Sequence, residues 1–307
     1  MIKQLIIKIV YYTYLFFTAK VDFRYYWILS RAYPVPHFND NPGQQGNHCY
    51  GNWLSVKNVM GRQFDPNCMI EHGLYFGRVV LEDECRYPQI STIYTYSLYR
   101  KEVLMEFFGK DFDKNIVVVG PYIQYANHML SVQQRQKIKE NWGRVLLVFP
   151  SHSSPEGELS FDYHSWLEEI EKRAKTFDTV IISLFWLDIY NGNYTHYLNK
   201  GWNLACCGNR FDPNFLSRQK DMISLADMTM SNDIGTHIGY CVSLGKPHYI
   251  YRQNVCMELS ENERIDTDEQ SRYRMQEYDT LYNSFSRFET EITDEQKQLI
   301  RYYWGDF

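Results

Sequence analysis

The tripeptide Glu71-His72-Gly73 sets a titratable ring beside a carboxylate where a short apolar run meets a glycine. An imidazole with an ordinary pKa near neutrality can take the proton of an attacking hydroxyl. His72 is therefore a candidate general base, with Glu71 as orienting partner or alternative base. Gly73 permits a tight turn that exposes the ring; the same residues also fit a structural histidine satisfied in the core. A second locus is 225–251, LADMTMSNDIGTHIGYCVSLGKPHYIY. A short strand delivers Ser231 and Asn232 into a turn, Gly235 lets backbone approach closely, and Thr236 opens a helix. Free N–H groups and a hydroxyl at a helix start suit a diphosphate, although an ordinary turn with an N-cap threonine has the same text.

Two further loops follow strands. In FPSHSS (149–154) His152 and Ser153 can reach a nucleotide or its phosphates, His152 by donating to a phosphate oxygen and offsetting charge on a departing group; Glu156 stands in the same loop. In CGNRFDPNFL (207–216) Asn209 and Arg210 follow a strand end, where backbone can meet a base, and Asp212 is placed to cap the helix that Pro213 begins. Other signals are discounted. Asp111-Phe112-Asp113 has a metal-binding DxD form but precedes its strand, the wrong end of a sheet, and Asp266-Thr267-Asp268 lies in a charged tail. The nine histidines show no HExxH or HxH spacing, so no metal site is indicated, and GxSxG and Walker sequences are absent.

These loops need a scaffold. Strands are expected at 68–73, 90–97 and 115–122, with a helix at 99–109. The second half alternates more cleanly: strands at 145–150, 179–186, 203–208, 228–232 and 247–251, with helices at 162–177, 213–227 and 236–245. Such alternation predicts parallel sheets covered on both faces, with a ligand cleft at the carboxyl ends of the strands. The stretch 33–53 is dense in Pro, Gly and Asn and reads as a loop. Residues 5–19 are apolar and aromatic but interrupted by Lys8 and shorter than the ~20 residues of a spanning helix. They make either a helix lying in a membrane interface or one packed on the domain.

Composition bounds the partners. A length of 307 residues suits one large domain or two ordinary ones, and a net charge of −5 supplies no global attraction to nucleic acid. The seven cysteines form no CxxC, and Cys206 and Cys207 are adjacent, which suits reduced thiols in a cytosolic compartment. With 26 Tyr and 18 Phe, the chain has material for an amphipathic binding surface or an aromatic core.

The text ADMTMSNDIGTH followed by KPHYIY resembles the carboxy-terminal half of GT-B glycosyltransferases. Within them it is similar to the group of polysialyltransferases, capsule glycosyltransferases and teichoic-acid (CDP-glycerol) glycerophosphotransferases. There a strand reading roughly ADxxITDYSS precedes the phosphate-binding helix and KPxxxY follows. Gly235-Thr236 stand near the group's paired serines, so the phosphate role passes to Thr236 and Ser231. The group's base resides in an HG or acidic xxG motif, followed by a strand ending in Ser and another ending in GxP. This chain supplies His72-Gly73, Ser97 and Gly120-Pro121 in that order. The group's nucleotide-contacting HP is replaced by SLFWLD, so either His152 substitutes for it or the nucleotide is held differently.

The resemblance covers roughly 67–251 and implies an α/β, GT-B-like fold: two Rossmann-like halves with a cleft between them. The expected division is 1–140, an acceptor-side α/β domain with an amphipathic amino-terminal helix; 141–257, a nucleotide-binding domain; and 258–307, a helical tail packing back on the first half. The implied activity is inverting, metal-independent sugar transfer in bacterial surface polysaccharide (capsule or O-antigen) synthesis. His72 and Glu71 would be catalytic; Ser231, Asn232, Gly235, Thr236, His152, Ser153, Asn209 and Arg210 would hold the donor nucleotide and phosphates. The implied partners are a nucleotide-sugar and a glycan or lipid-linked glycan acceptor reaching the cleft across 39–53, with no cofactor beyond the donor and no nucleic acid. The implied place is the cytoplasm, with peripheral contact to the inner face of the membrane. Alternatives on the same architecture are a CDP-polyol phosphotransferase, a nucleotide-sugar 2-epimerase and a non-catalytic nucleotide-binding protein.

Overall fold

The structure, a computed structural model, describes residues 2–38, 42–110, 112–153, 157–259 and 268–307. Asp111, Glu156, Asp266 and Thr267 lie outside the described residues. Two parallel sheets form the frame. The first holds β1 (Cys68–Ile70), β2 (Thr92–Thr95) and β3 (Asn115–Val118) in spatial order β1-β2-β3. The chain then gives β4 (Val145–Phe149), β5 (Gly157–Ser160), β6 (Thr179–Leu184), β7 (Asn203–Cys206), β8 (Met228–Ser231), β9 (His248–Ile250) and β10 (Cys256–Leu259). Five of these make the second sheet, ordered β7-β6-β4-β8-β9 and parallel throughout, while β5 and β10 pair as an antiparallel ribbon. The molecule is α/β, built as two Rossmann-like halves.

Residue type explains the burial. In β4, Val145, Leu147 and Phe149 enter one core cluster while Leu146 and Val148 enter another, so both faces of this central strand are covered. The expected strands and helices occur with trimmed ends: the helix foreseen at 236–245 is His237–Ser243, and β3 stops before Gly120-Pro121. The stretch 33–53 is more ordered than its composition suggests, with 3-10 turns over Pro42–Gly51 and a helix Asn52–Met60. Gly51 stands at a positive φ of 73°, and a Cβ there would lie 2.2 Å from the Pro213 carbonyl oxygen. This loop is thus pressed onto the second half at a position only glycine fills comfortably.

The division of the chain differs from the sequence reading at both ends of the first half. The helix Ile2–Thr18 packs on the second half: the Tyr11 hydroxyl donates to the Phe211 carbonyl at 2.9 Å, and Arg218 donates to the carbonyls of Thr18 and Val21 at 3.0 and 2.8 Å. The segment before β4 also belongs there, because the backbone N–H groups of Met129 and Leu130 donate to Asp221 at 2.9 and 2.8 Å. Charged and polar side chains make these joins, which an apolar pattern does not report.

The tail touches both halves. In the helix Asp268–Ser284, Glu277 accepts from the Tyr99 hydroxyl and the Gly77 N–H, while the Tyr282 hydroxyl donates to Asp233 at 2.5 Å. The helix Asp294–Trp304 packs against Leu98–Phe108 and His237–Ser243. Trp304 is fully buried, its indole N–H donating to the Thr236 carbonyl at 3.0 Å. A Cβ on Gly239 would sit 2.3 Å from that indole. Gly239→Ala should therefore destabilise the fold by about 1–3 kcal/mol through overpacking, and Trp304→Ala by about 3–5 kcal/mol through the void it leaves. Urea unfolding of both variants checks this; an unchanged midpoint for either would contradict the packing described.

Candidate functional site

The carboxyl ends of β1, β4, β6, β7 and β8 open on one cavity of about 440 Å³, whose lining also takes in Tyr50, Phe215 and Gln219. Placement beyond the strand ends is where open α/β sheets hold ligands, and the volume suits a small molecule. His72, Gly73 and Tyr75 come from the first half; Ser151, His152, Asp233, Gly235 and Thr236 come from the second. The sequence-separated loops around 72, 152 and 235 therefore share one space.

Glu71 and His72 do not act as a pair. Successive residues leaving a strand point to opposite sides, and Glu71 turns into the first half. There its carboxylate meets Arg100 at 2.5 Å and accepts from the Thr95 hydroxyl at 2.5 Å, with both charged side chains 1% exposed or less. As a buried, ion-paired carboxylate it neither orients His72 nor reaches the cavity. The partners of His72 are other residues. The Tyr75 hydroxyl lies 3.0 Å from Nε2, and the His72 carbonyl accepts from Asn52 at 3.1 Å. On the opposite edge of the ring, Nδ1 and a carboxylate oxygen of Glu84 converge on Gly46, lying 3.3 and 3.4 Å from where its Cβ would be. Burial, reinforced by the Glu71 charge, pushes the Glu84 carboxyl up to about 7. Glu84 thus brings a carboxyl raised by burial to the same glycine that the His72 ring approaches. Tyr75 stands three residues from His72 and was visible in the sequence, whereas nothing in the spacing links Glu84 to it.

The turn after β8 is built differently from a simple anion cradle. The Ser231 hydroxyl is buried, donating to the Asp233 carbonyl at 2.7 Å and lying 3.0 Å from Nε2 of His248. Asn232 is fully buried and accepts from the N–H and hydroxyl of Ser151 at 2.6 and 3.0 Å, so it anchors the loop carrying His152. Gly235 and Gly73 line the cavity, but neither has the positive φ that demands glycine. Thr236 also lines it, yet its hydroxyl accepts from the Leu74 N–H at 3.1 Å and makes no cap to the helix it precedes. Thr236 is thus a bridge between the halves that retains a proton to donate.

His152 is exposed to the cavity and packs on the Phe185 ring, centroids 4.7 Å apart. The next residue, Ser153, is buried, and its N–H donates to the Asp188 carboxylate at 3.2 Å. Burial raises the Asp188 pKa while the nearby His152 opposes the rise. Asn209 and Arg210 stand away from the cavity lining, where Cys207 takes the place expected of them. Asn209 is buried and accepts from the Phe211 N–H at 3.0 Å; the Arg210 carbonyl accepts from the Tyr50 N–H, and its guanidinium packs on Phe211. Asp212 is not the expected cap: the helix is Phe215–Leu225 with Asn214 at its N-cap position, and Asp212 is fully buried in an ion pair with Arg218 at 2.7 Å. Among the described residues no group of three or more His, Cys, Asp or Glu side chains is arranged to hold a metal ion.

No protein-family model matches this sequence, and no curated protein does. Among solved structures the chain is similar to Anabaena Alr3699/HepE in complex with UDP (11% identity, 83% of this chain and 72% of that one, TM-score 0.36). It is also similar to UDP-GlcNAc 2-epimerase from Neisseria meningitidis bound to UDP-GlcNAc (15% identity, 89% and 79%, TM-score 0.39). A third is the S. aureus MnaA-UDP co-structure (9% identity, 89% and 80%, TM-score 0.44).

His237, which sequence reading passed over, closes the cavity wall by stacking on Phe149 with centroids 4.8 Å apart. Burial, with the charge of His152 added, lowers its pKa from 6.5 to about 3. The folded protein therefore holds a neutral ring that the unfolded chain protonates first. Stability from this residue is complete above about pH 6.5 and is lost as pH falls toward 3, by up to ~1.4 kcal/mol per pH unit. Replacing it in His237→Phe should flatten the fall in melting temperature between about pH 6.5 and 4.5; an equally steep fall would show that His237 is not held neutral.

Proposed function

We propose that this chain is an inverting, metal-independent glycosyltransferase that moves a sugar from a nucleotide-sugar donor to a glycan or lipid-linked glycan in bacterial surface polysaccharide synthesis. The observation that carries the reading is the meeting of His72, from the first half, with the loops of His152 and Thr236, from the second, in one cavity. It is joined by the GT-B motif order along the chain.

In this reading Nε2 of His72 takes the proton of the acceptor hydroxyl, whose oxygen attacks the anomeric carbon as the bond to the departing phosphate breaks on the opposite face. The Tyr75 hydroxyl, 3.0 Å from Nε2, marks where the acceptor hydroxyl enters. Glu84, on the Nδ1 side, balances the charge the ring acquires. Negative charge developing on the nucleotide is met by His152 and by the hydroxyl of Thr236. A carboxylate beside a diphosphate is unfavourable, and the bond from Tyr282 holds an oxygen of Asp233 on the tail-helix side.

Purified protein with UDP-, CDP-, GDP- and dTDP-sugars and CMP-sialic acid tests this. His72→Ala should lower kcat roughly 10²–10⁴-fold while leaving nucleotide affinity within about twofold. Glu84→Gln should lower kcat about tenfold or more and move the acidic limb of the pH–rate profile, which the base sets, toward lower pH, again with nucleotide affinity kept. Donor turnover with no acceptor present would favour the epimerase alternative, and use of a CDP-polyol would favour phosphotransfer. Nucleotide binding with turnover indifferent to His72→Ala would remove its assignment as base. In Thr236→Val the Leu74 N–H loses its acceptor, so about 1–3 kcal/mol of stability should go as well, and binding must be compared at equal folded fraction.

A further inference from the structure

The helix Ile2–Thr18 shows an apolar face to solvent. Ile7, Tyr11, Tyr14, Leu15 and Thr18 are its less exposed positions and turn toward the protein, with Tyr14 stacked on Tyr33 at 4.0 Å. At ~100° per residue the opposite face is made of Ile2, Leu5, Ile6, Ile9, Phe16 and Phe17, with Thr13 as its polar member. This is not the ordinary scatter of surface apolar residues, since Ile9, Phe16 and Phe17 are 57%, 78% and 73% exposed on a single helix. Lys3 and Lys8 fall on the two borders of that face. The first 21 residues contain three lysines and no acidic residue, in a chain whose net charge is −5. Arg31 joins Phe17 in lining a shallow apolar groove along the helix, which adds a further cation beside the patch.

We propose that this face docks on an anionic lipid bilayer. Its chemistry matches an interfacial helix: apolar side chains directed into the acyl boundary, and lysines on the borders reaching up to acidic headgroups. Lys8 interrupts the apolar run, and the inward side of the helix is occupied by the protein itself, so the exposed face fits the interface plane; among the described residues no helix is long and apolar enough to cross a membrane. A second copy of the chain is the less suitable occupant, because pairing through the same face brings like cations together around an otherwise apolar contact. This inference stands on the helix alone and does not depend on the catalytic reading.

The test is flotation of the full-length protein with vesicles of phosphatidylcholine alone and of phosphatidylcholine with about 30% phosphatidylglycerol, at low and high salt, with light scattering to give its mass in solution. The protein should float with the anionic vesicles and be released by salt. Ile9→Glu with Phe16→Glu should reduce binding at least ~10-fold without lowering the melting temperature, since both side chains point outward. Lys3→Glu with Lys8→Glu should abolish the preference for anionic vesicles while leaving the fold intact. Absence of flotation with either vesicle would overturn the proposal. So would a dimer that the Ile9/Phe16 variant converts to monomer while vesicles are ignored, and so would equal binding to both vesicles that the lysine variant leaves unchanged.

Discussion

Trp304 can pack closely on the helix His237–Ser243 because residue 239 has no side chain, and that contact brings the tail onto the turn that lines the cavity. The indole N–H holds the Thr236 carbonyl, the Thr236 hydroxyl holds the Leu74 N–H, and the hydroxyls of Tyr96 and Tyr240 meet at 2.9 Å between the halves. The Thr236–Leu74 bond fixes the turn after β8 against the turn after β1, the Tyr pair ties the segment after β2 to the helix His237–Ser243, and the indole ties the tail to the same turn. A cavity walled by residues so tied keeps its shape before any ligand arrives, which reduces the ordering cost of binding. The largest core cluster likewise runs through both halves, joining Ile70 and Tyr94 to Leu147, Tyr240 and Trp304. Relative motion of the halves must break this cluster or go around it.

Two buried ion pairs position what surrounds this clamp. Arg100 and Glu71 close the first half behind His72; Arg218 and Asp212 tie the loop after β7 to the carbonyls of Thr18 and Val21. Desolvation makes such pairs weak contributors to net stability, but removing one partner leaves an uncompensated charge at a cost of about 3–5 kcal/mol. Their effect is thus on which arrangement forms. Arg218 has a defined fork of acceptors only when the amino-terminal segment lies on the second half, and so it carries the apolar helix Ile2–Thr18 into place. The same site logic governs the histidines: His152 reaches the cavity, while His237 is held neutral in its wall.

Much of the scaffold was legible because parallel strands buried on both faces leave a nearly continuous apolar signature, unbroken in VLLVF and broken only by Ser183 within VIISL. The turns that reach the cavity were legible for a related reason: glycine and small polar residues collect where strands stop. What failed to show was direction. Ser231, Asn232, Asn209 and Glu71 are polar residues at strand ends, which looked like ligand contacts, yet each is consumed in holding backbone or another side chain. Composition gives a residue's capacity to bond and not which partner takes it. Glu84 was missed for the converse reason, since a carboxylate in an EDEC turn looks solvated until the fold brings it to Gly46 and His72. The helix Val132–Trp142 is largely polar in text; a capping box between Ser131 and Gln134 starts it, and only Ile138 and Trp142 pack it on the core.

The tyrosine content now has a physical account that unites the two readings of the sequence. A phenol can be buried as a hydrophobic ring provided its hydroxyl finds a partner, and here the partners are repeatedly elements that would otherwise be unconnected. Tyr11 joins the first helix to the loop after β7, Tyr99 and Tyr282 join the tail to each half, and Tyr75 joins His72 to the cavity. Burial raises the pKa of all four, so none of them supplies charge at neutral pH and each stays a donor. Phenylalanine at these positions would fill the same space and release the joints. The aromatic surplus is therefore both core and connector, and the cavity inherits its rigidity from side chains whose apolar bulk and single hydroxyl are used together.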